Sequence, residues 1–141
     1  MARIFTAFRV GAALALLAGG GLATAAGPAV FGKSRPGMWQ LDGIDGSKVP
    51  VRKCVADLTE LARLQHPGKK CSQRLLRETD SSATFSYQCS RSDFGQTRLD
   101  LVTSQSFRIQ TQGISGGLPF SYLVQARRLG ECEGKAEQRG R

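Results

Sequence analysis

Residues 71–90 read CSQRLLRETDSSATFSYQCS. In the second half Ala83, Phe85, Tyr87 and Cys89 alternate with Ser82, Thr84, Ser86 and Gln88. Successive side chains of an extended chain point to opposite faces, so a period of two predicts a strand with one buried and one wet face. Asp80 and Ser81 give a turn signal between segments 71–79 and 82–90, which together predict an antiparallel hairpin. If residues 79 and 82 close that turn, paired positions sum to about 161, and Cys71 falls opposite Ser90, one place from Cys89. A bulge or a different loop supplies the missing position. On that basis Cys71 is paired with Cys89, which leaves Cys54 for Cys132; the rival pairing, Cys54 with Cys71 across the intervening helix, stays open. On the chain-entropy model the two closures contribute about 3 and about 4.5 kcal/mol.

The same period continues on both sides. Downstream, Leu99 and Leu101 point inward in the segment from Gln96 to Ser104, Phe107, Ile109 and Thr111 alternate with Arg108 and Gln110, and Phe120, Tyr122, Val124 and Ala126 alternate up to Arg128. Upstream, Trp39 and Leu41 alternate with Gln40 and Asp42, a turn spans Gly43 to Ser47, and Val49, Val51 and Val55 extend through Cys54, which predicts a first hairpin. Between the two β regions Asp57 with Glu60 forms a capping box ahead of Leu58, Leu61 and Leu64, and Pro67 with Gly68 ends the segment, so a short α-helix is expected there. The chain therefore reads as mainly β: a curved antiparallel meander of six or seven strands with one short α-helix. It closes either as a half-open barrel or as a sheet wrapped around the helix. The β-rich domain is placed at 37–132, after a flexible Gly- and Pro-rich leader at 26–36 and before a polar tail at 133–141.

Residues 1–25 have the three-part form of a secretory signal peptide: Arg3 and Arg9, then an uncharged run containing Leu14, Leu16 and Leu17, then small residues at Ala23 and Ala25. Cleavage is expected after Ala25 or Ala26, and a periplasmic or secreted location follows. All four cysteines lie beyond that point. An even count in an exported chain reads as disulfides, and no C-x-x-C pair or second histidine beside His66 supports a redox motif or a metal site. No metal or cofactor is expected.

Pro36-Gly37-Met38-Trp39 opens a strand, Cys54-Val55 precedes a short helix, two cysteines end consecutive hairpin segments, and Arg128-Leu129-Gly130-Glu131-Cys132 closes the domain. In this order the chain resembles the DUF3617 family of small exported bacterial proteins over residues 36–132. The resemblance implies a signal peptide, a β-rich domain and conserved-looking cysteines, and it implies no activity.

Residue chemistry narrows the function further. Gly113-Ile114-Ser115-Gly116-Gly117 fits G-x-S-x-G, but it joins two strand-like segments and no histidine follows it, so it reads as a turn. His66 is expected to be an exposed imidazole at the end of the helix. Asp93-Phe94-Gly95 stands without any phosphate-binding loop, and the carboxylates Asp42, Asp45, Glu78, Asp93 and Asp100 are scattered. The charge is the remaining lead: 20 Lys and Arg against 11 Asp and Glu give +9, and Arg77, Arg98 and Arg108 are among the basic residues spread over most segments. Lys69, Lys70, Arg74, Arg127 and Arg128 are the candidate anion-binding residues. The expected function is a non-enzymatic envelope binding or structural module for an anionic ligand, such as a lipid head group or a cell-wall polymer. Nucleic acid is disfavoured, because most aromatics are assigned inward, and a cell-envelope hydrolase is the alternative reading.

Overall fold

A computed structural model describes residues 27–133. The segment read as a signal peptide, with Ala23, Ala25 and Ala26, and all but the first residue of the polar tail lie outside the described residues. The elements in chain order are a short helix α1 (Ala29–Gly32), β1 (Gly37–Asp42), a 3-10 turn (Ile44–Gly46), β2 (Val51–Val55), a 3-10 helix (Leu58–Arg63), β3 (Ser72–Glu78), β4 (Ser82–Gln88), β5 (Phe94–Thr103), β6 (Ser106–Ser115) and β7 (Leu118–Gly130). The seven strands form one antiparallel sheet in the order β2-β1-β7-β6-β5-β4-β3. It is open, with β2 and β3 as its edges.

This order explains what covers the inner face. β2 lies at one edge and the next strand, β3, at the other, so the connection between them must traverse the whole sheet. The 3-10 helix lies on that path and brings Leu58, Leu61, Ala62 and Leu64 against Trp39, Phe85, Leu99, Phe107, Ile109 and Val124. Trp39, Leu41, Phe107 and Ile109 are fully buried. Each such aliphatic or aromatic side chain contributes about 1.5–3 kcal/mol relative to leaving it in water. The helical segment thus packs on the face of an open sheet, one of the two arrangements the sequence allows.

Three expectations need correction. The segment after Asp57 is a 3-10 helix, although its capping box is present as expected: the Asp57 side chain accepts from Thr59 N–H at 2.9 Å and Glu60 accepts from Asp57 N–H at 3.2 Å. Leu58, Leu61 and Leu64 are three residues apart, and three residues per turn aligns them in one row, whereas an α-helix would spread them over a wider arc of its face. Next, the segment read as a flexible leader contains α1. Val30 is fully buried, Phe31 stacks on Phe85 with ring centroids 5.8 Å apart, and Ala29 N–H donates to the Glu78 carboxylate on β3, so this segment too lies across the inner face. Finally, His66 is not exposed. The crossover is still beneath the sheet at that point, and only 1% of the residue reaches solvent.

Both expected disulfides are present, Cys71–Cys89 and Cys54–Cys132. Next to the turn Glu78 pairs with Ala83 and Arg77 with Thr84, the register expected from the sequence. A bulge between Leu75 and Arg77 then shifts the pairing by one, giving Leu75 with Phe85 and Ser72 with Gln88. Cys71 consequently stands opposite Cys89, with 4.0 Å between Cα atoms. The second bridge straps β2 to the end of β7 across β1, because Met38 is opposite Cys54 on one side and Gly130 on the other. The pairing of Cys54 with Cys71 is thereby ruled out.

Candidate functional site

Two regions concentrate polar chemistry, and they use it differently. The first is centred on Asp93, at the end of the sheet where β4, β5 and the β6–β7 turn meet. Its carboxylate accepts from Lys69 Nζ at 2.7 Å, from Ser90 Oγ at 3.0 Å and from Gly116 N–H at 2.8 Å. Its main-chain carbonyl accepts from the N–H groups of Cys89 and Ser90 at 2.8 and 3.1 Å. The hydrogen bond from Lys69, reinforced by those from Gly116 and Ser90, holds the carboxyl well below the usual carboxylate range. His66 Nε2 lies 3.4 Å from Asp93 Oδ1, and the imidazole meets the rings of Tyr87 and Phe120 edge-on at 5.5 and 5.9 Å. Burial pushes the Tyr87 and Tyr122 phenols upward. Gly95 has to be glycine here, since a Cβ would lie 2.7 Å from Tyr87 Oη. The G-x-S-x-G stretch supplies the β6–β7 turn, with Gly116 and Gly117 at φ 57° and 81°; it forms no strand-to-helix elbow.

The second region lies on the outer face. One row across the sheet runs Arg77, Thr84, Arg98, Gln110, Leu123, and the adjacent row runs Arg74, Ser86, Gln96, Gln112, Ser121, each residue directly opposite the next on neighbouring strands. The first row, with Gln96, Gln112 and Ser121 of the second, floors a groove of about 710 Å³ that runs from Leu76 and Arg77 on β3 to Ser121 and Leu123 on β7. Among the described residues no carboxylate lines it. Asp100, beyond one wall, accepts from Arg98 Nε at 2.9 Å, orienting the guanidinium and favouring its charged form. Arg74 lines a neighbouring hollow of about 610 Å³ beside Phe94.

The five candidate anion-binding residues are not brought together. Lys69 is committed to Asp93. Arg128 has 14% of its side chain exposed and donates to the Pro36 carbonyl at 3.0 Å and to Glu131 at 2.6 Å. Lys70 is exposed in the loop before β3, while Arg74 and Arg127 are on the outer face, on β3 and β7. Of the five only Arg74 borders the region next to the groove. The sequence reading did not single out Gln96, Gln110 and Gln112, since a glutamine on the wet side of a strand looks like any solvated residue until its neighbours across the sheet are known.

The carboxylates a glycoside hydrolase would use are also apart. Asp93 and Asp100 lie toward opposite ends of β5, about 23 Å apart at the usual strand rise. Glu78 shares a cross-strand pair with inward-facing Ala83, on the other face from Asp100. Among the described residues no group of three His, Cys, Asp or Glu side chains is placed to hold a metal ion, and no helix is long and apolar enough to cross a membrane. The chain matches no family model, no curated protein and no solved structure.

Proposed function

We propose that this protein is a non-enzymatic binding module that takes an anionic ligand in the outer groove, working in the periplasm or outside the cell, and that it belongs with the DUF3617 proteins it resembles. The observation that carries the reading is the groove lining: Arg77, Arg98 and three glutamines with no carboxylate in the lining itself, although Asp100 just outside it pairs with Arg98 and takes up part of that guanidinium. Two disulfides fit a chain that folds in an oxidising compartment, and the strongly basic composition draws anions toward the sheet.

The test is calorimetric titration with inorganic tripolyphosphate and with polygalacturonate at low ionic strength. At least one should bind, bind more weakly as salt is added, and lose about tenfold in affinity in the Arg77→Gln/Arg98→Gln double variant. If neither binds, or if the double variant binds as well as the parent, the reading is wrong.

A further inference from the structure

We infer that the ligand is a linear acidic polysaccharide lying across the strands, with its carboxylates against Arg77 and Arg98 and its hydroxyls against the glutamines. This rests on the anion-binding reading above and names its chemistry.

The first argument concerns donors and acceptors. Gln96, Gln110 and Gln112 form a near-continuous amide surface between the two arginines and β7. Each amide offers two N–H donors and a carbonyl acceptor. A phosphate or a bare carboxylate only accepts, so covering these amides with one would strip water from the carbonyls and return nothing, at a cost for every unpaired group. A polyhydroxylated anion both donates and accepts, which satisfies the amides and the arginines together.

The second argument is length. The groove crosses from β3 to β7, four strand spacings, or about 19 Å. Arg77 and Arg98 are two strands apart, about 10 Å. A compact anion occupies a fraction of that length, whereas several linked sugar units fill it. The apolar ends, Leu76 and Leu123, suit the C–H faces of sugar rings. Nucleic acid is a poorer match: bases need aromatic platforms, and among the described residues the one ring bordering the groove, Tyr122, packs against the core.

The experiment titrates oligogalacturonates of increasing length, a neutral oligosaccharide of matching length, inorganic tripolyphosphate, single-stranded oligonucleotides and anionic phospholipid vesicles against the parent protein and a Gln110→Leu variant. Expected is an affinity that climbs with oligogalacturonate length and levels off once the groove is spanned, with no binding of the neutral chain. Gln110→Leu should cost about fivefold against the oligogalacturonates and less than about twofold against tripolyphosphate, which has no donor for the amide carbonyl. Tripolyphosphate, oligonucleotides or vesicles bound at least as tightly, with oligogalacturonate affinity flat in length, would overturn the polysaccharide and leave the anion site standing. Oligogalacturonate binding insensitive to Gln110→Leu would overturn the assigned amide contacts and the inference with them. Absence of binding to every anion would bring down the anion reading itself.

Discussion

The Asp93 assembly and the outer groove are both built of charged and amide or hydroxyl side chains, yet one faces inward on itself and the other faces water. Around Asp93 the carboxylate meets the Lys69 ammonium at 2.7 Å, and the loops holding Lys69, Ser90 and Gly116 are tied to that single carboxylate. In the groove the amides and Arg77 have no protein partner among the described residues, and Arg98 keeps part of its guanidinium free. The contrast shows why a strongly shifted carboxyl is a poor guide to function in this fold: the shift marks where charge is consumed in joining loops.

Breaking the joined end should have the largest effect. Replacing Cys71 and Cys89 by serine frees the loop beside Lys69 and is expected to lower unfolding free energy by about 3 kcal/mol in urea titrations, with groove binding retained at temperatures where the variant stays folded. Asp93→Asn comes next. The folded carboxyl is held below its ordinary 3.8 while the unfolded one is not, so its contribution is complete above that value and is lost as pH falls below it, the unfolded chain taking the proton first. The Asp93→Asn variant should therefore show a lower melting midpoint near neutrality and a flatter loss of stability on acidification, read from melting curves across pH. Gly116→Ala is smaller still: at φ 57° the added Cβ costs about 1 kcal/mol, measurable as a shifted denaturation midpoint. Arg77→Gln and Arg98→Gln should move stability by no more than about 0.5 kcal/mol while weakening anion binding, the mirror image of Asp93→Asn. If the groove arginines proved more important to stability than Asp93, the division between the two regions would collapse.

Local pattern carried most of the fold. The alternation in residues 82–89 and the turn at Asp80 and Ser81 set the register near the turn, and the cysteine spacing demanded the one-position slip that the Leu76 bulge provides. What alternation cannot report is which strands are neighbours beyond a hairpin. The placement of β3 at the far edge sends residues 56–71 under the sheet, and that alone buries His66 and recruits Lys69 to Asp93, neither of which local polarity suggests. The groove was hidden for the same reason. Its floor comes from five strands, and Arg77, Arg98 and Gln110 are scattered over more than thirty positions until the pairing aligns them. The three-residue spacing of the leucines suits one face of an α-helix as well as a 3-10 helix, so with a capping box ahead of it the segment reads as α-helical.

The strand order also fixes when the molecule can become whole. β3 to β7 are joined in sequence by short turns, so each can pair with the one made just before it. β1 has no such partner except β2 until residues 125–130 exist, because its other neighbour is the final strand. Sequence-distant pairings form late, and chains are made from the amino end. Trp39 and Leu41, among the most deeply buried side chains, therefore stay without most of their covering until nearly the whole chain has emerged. A chain truncated before β7 should keep Cys54 reactive and leave those two side chains open to chaperones, because the second neighbour of β1 is the last strand made.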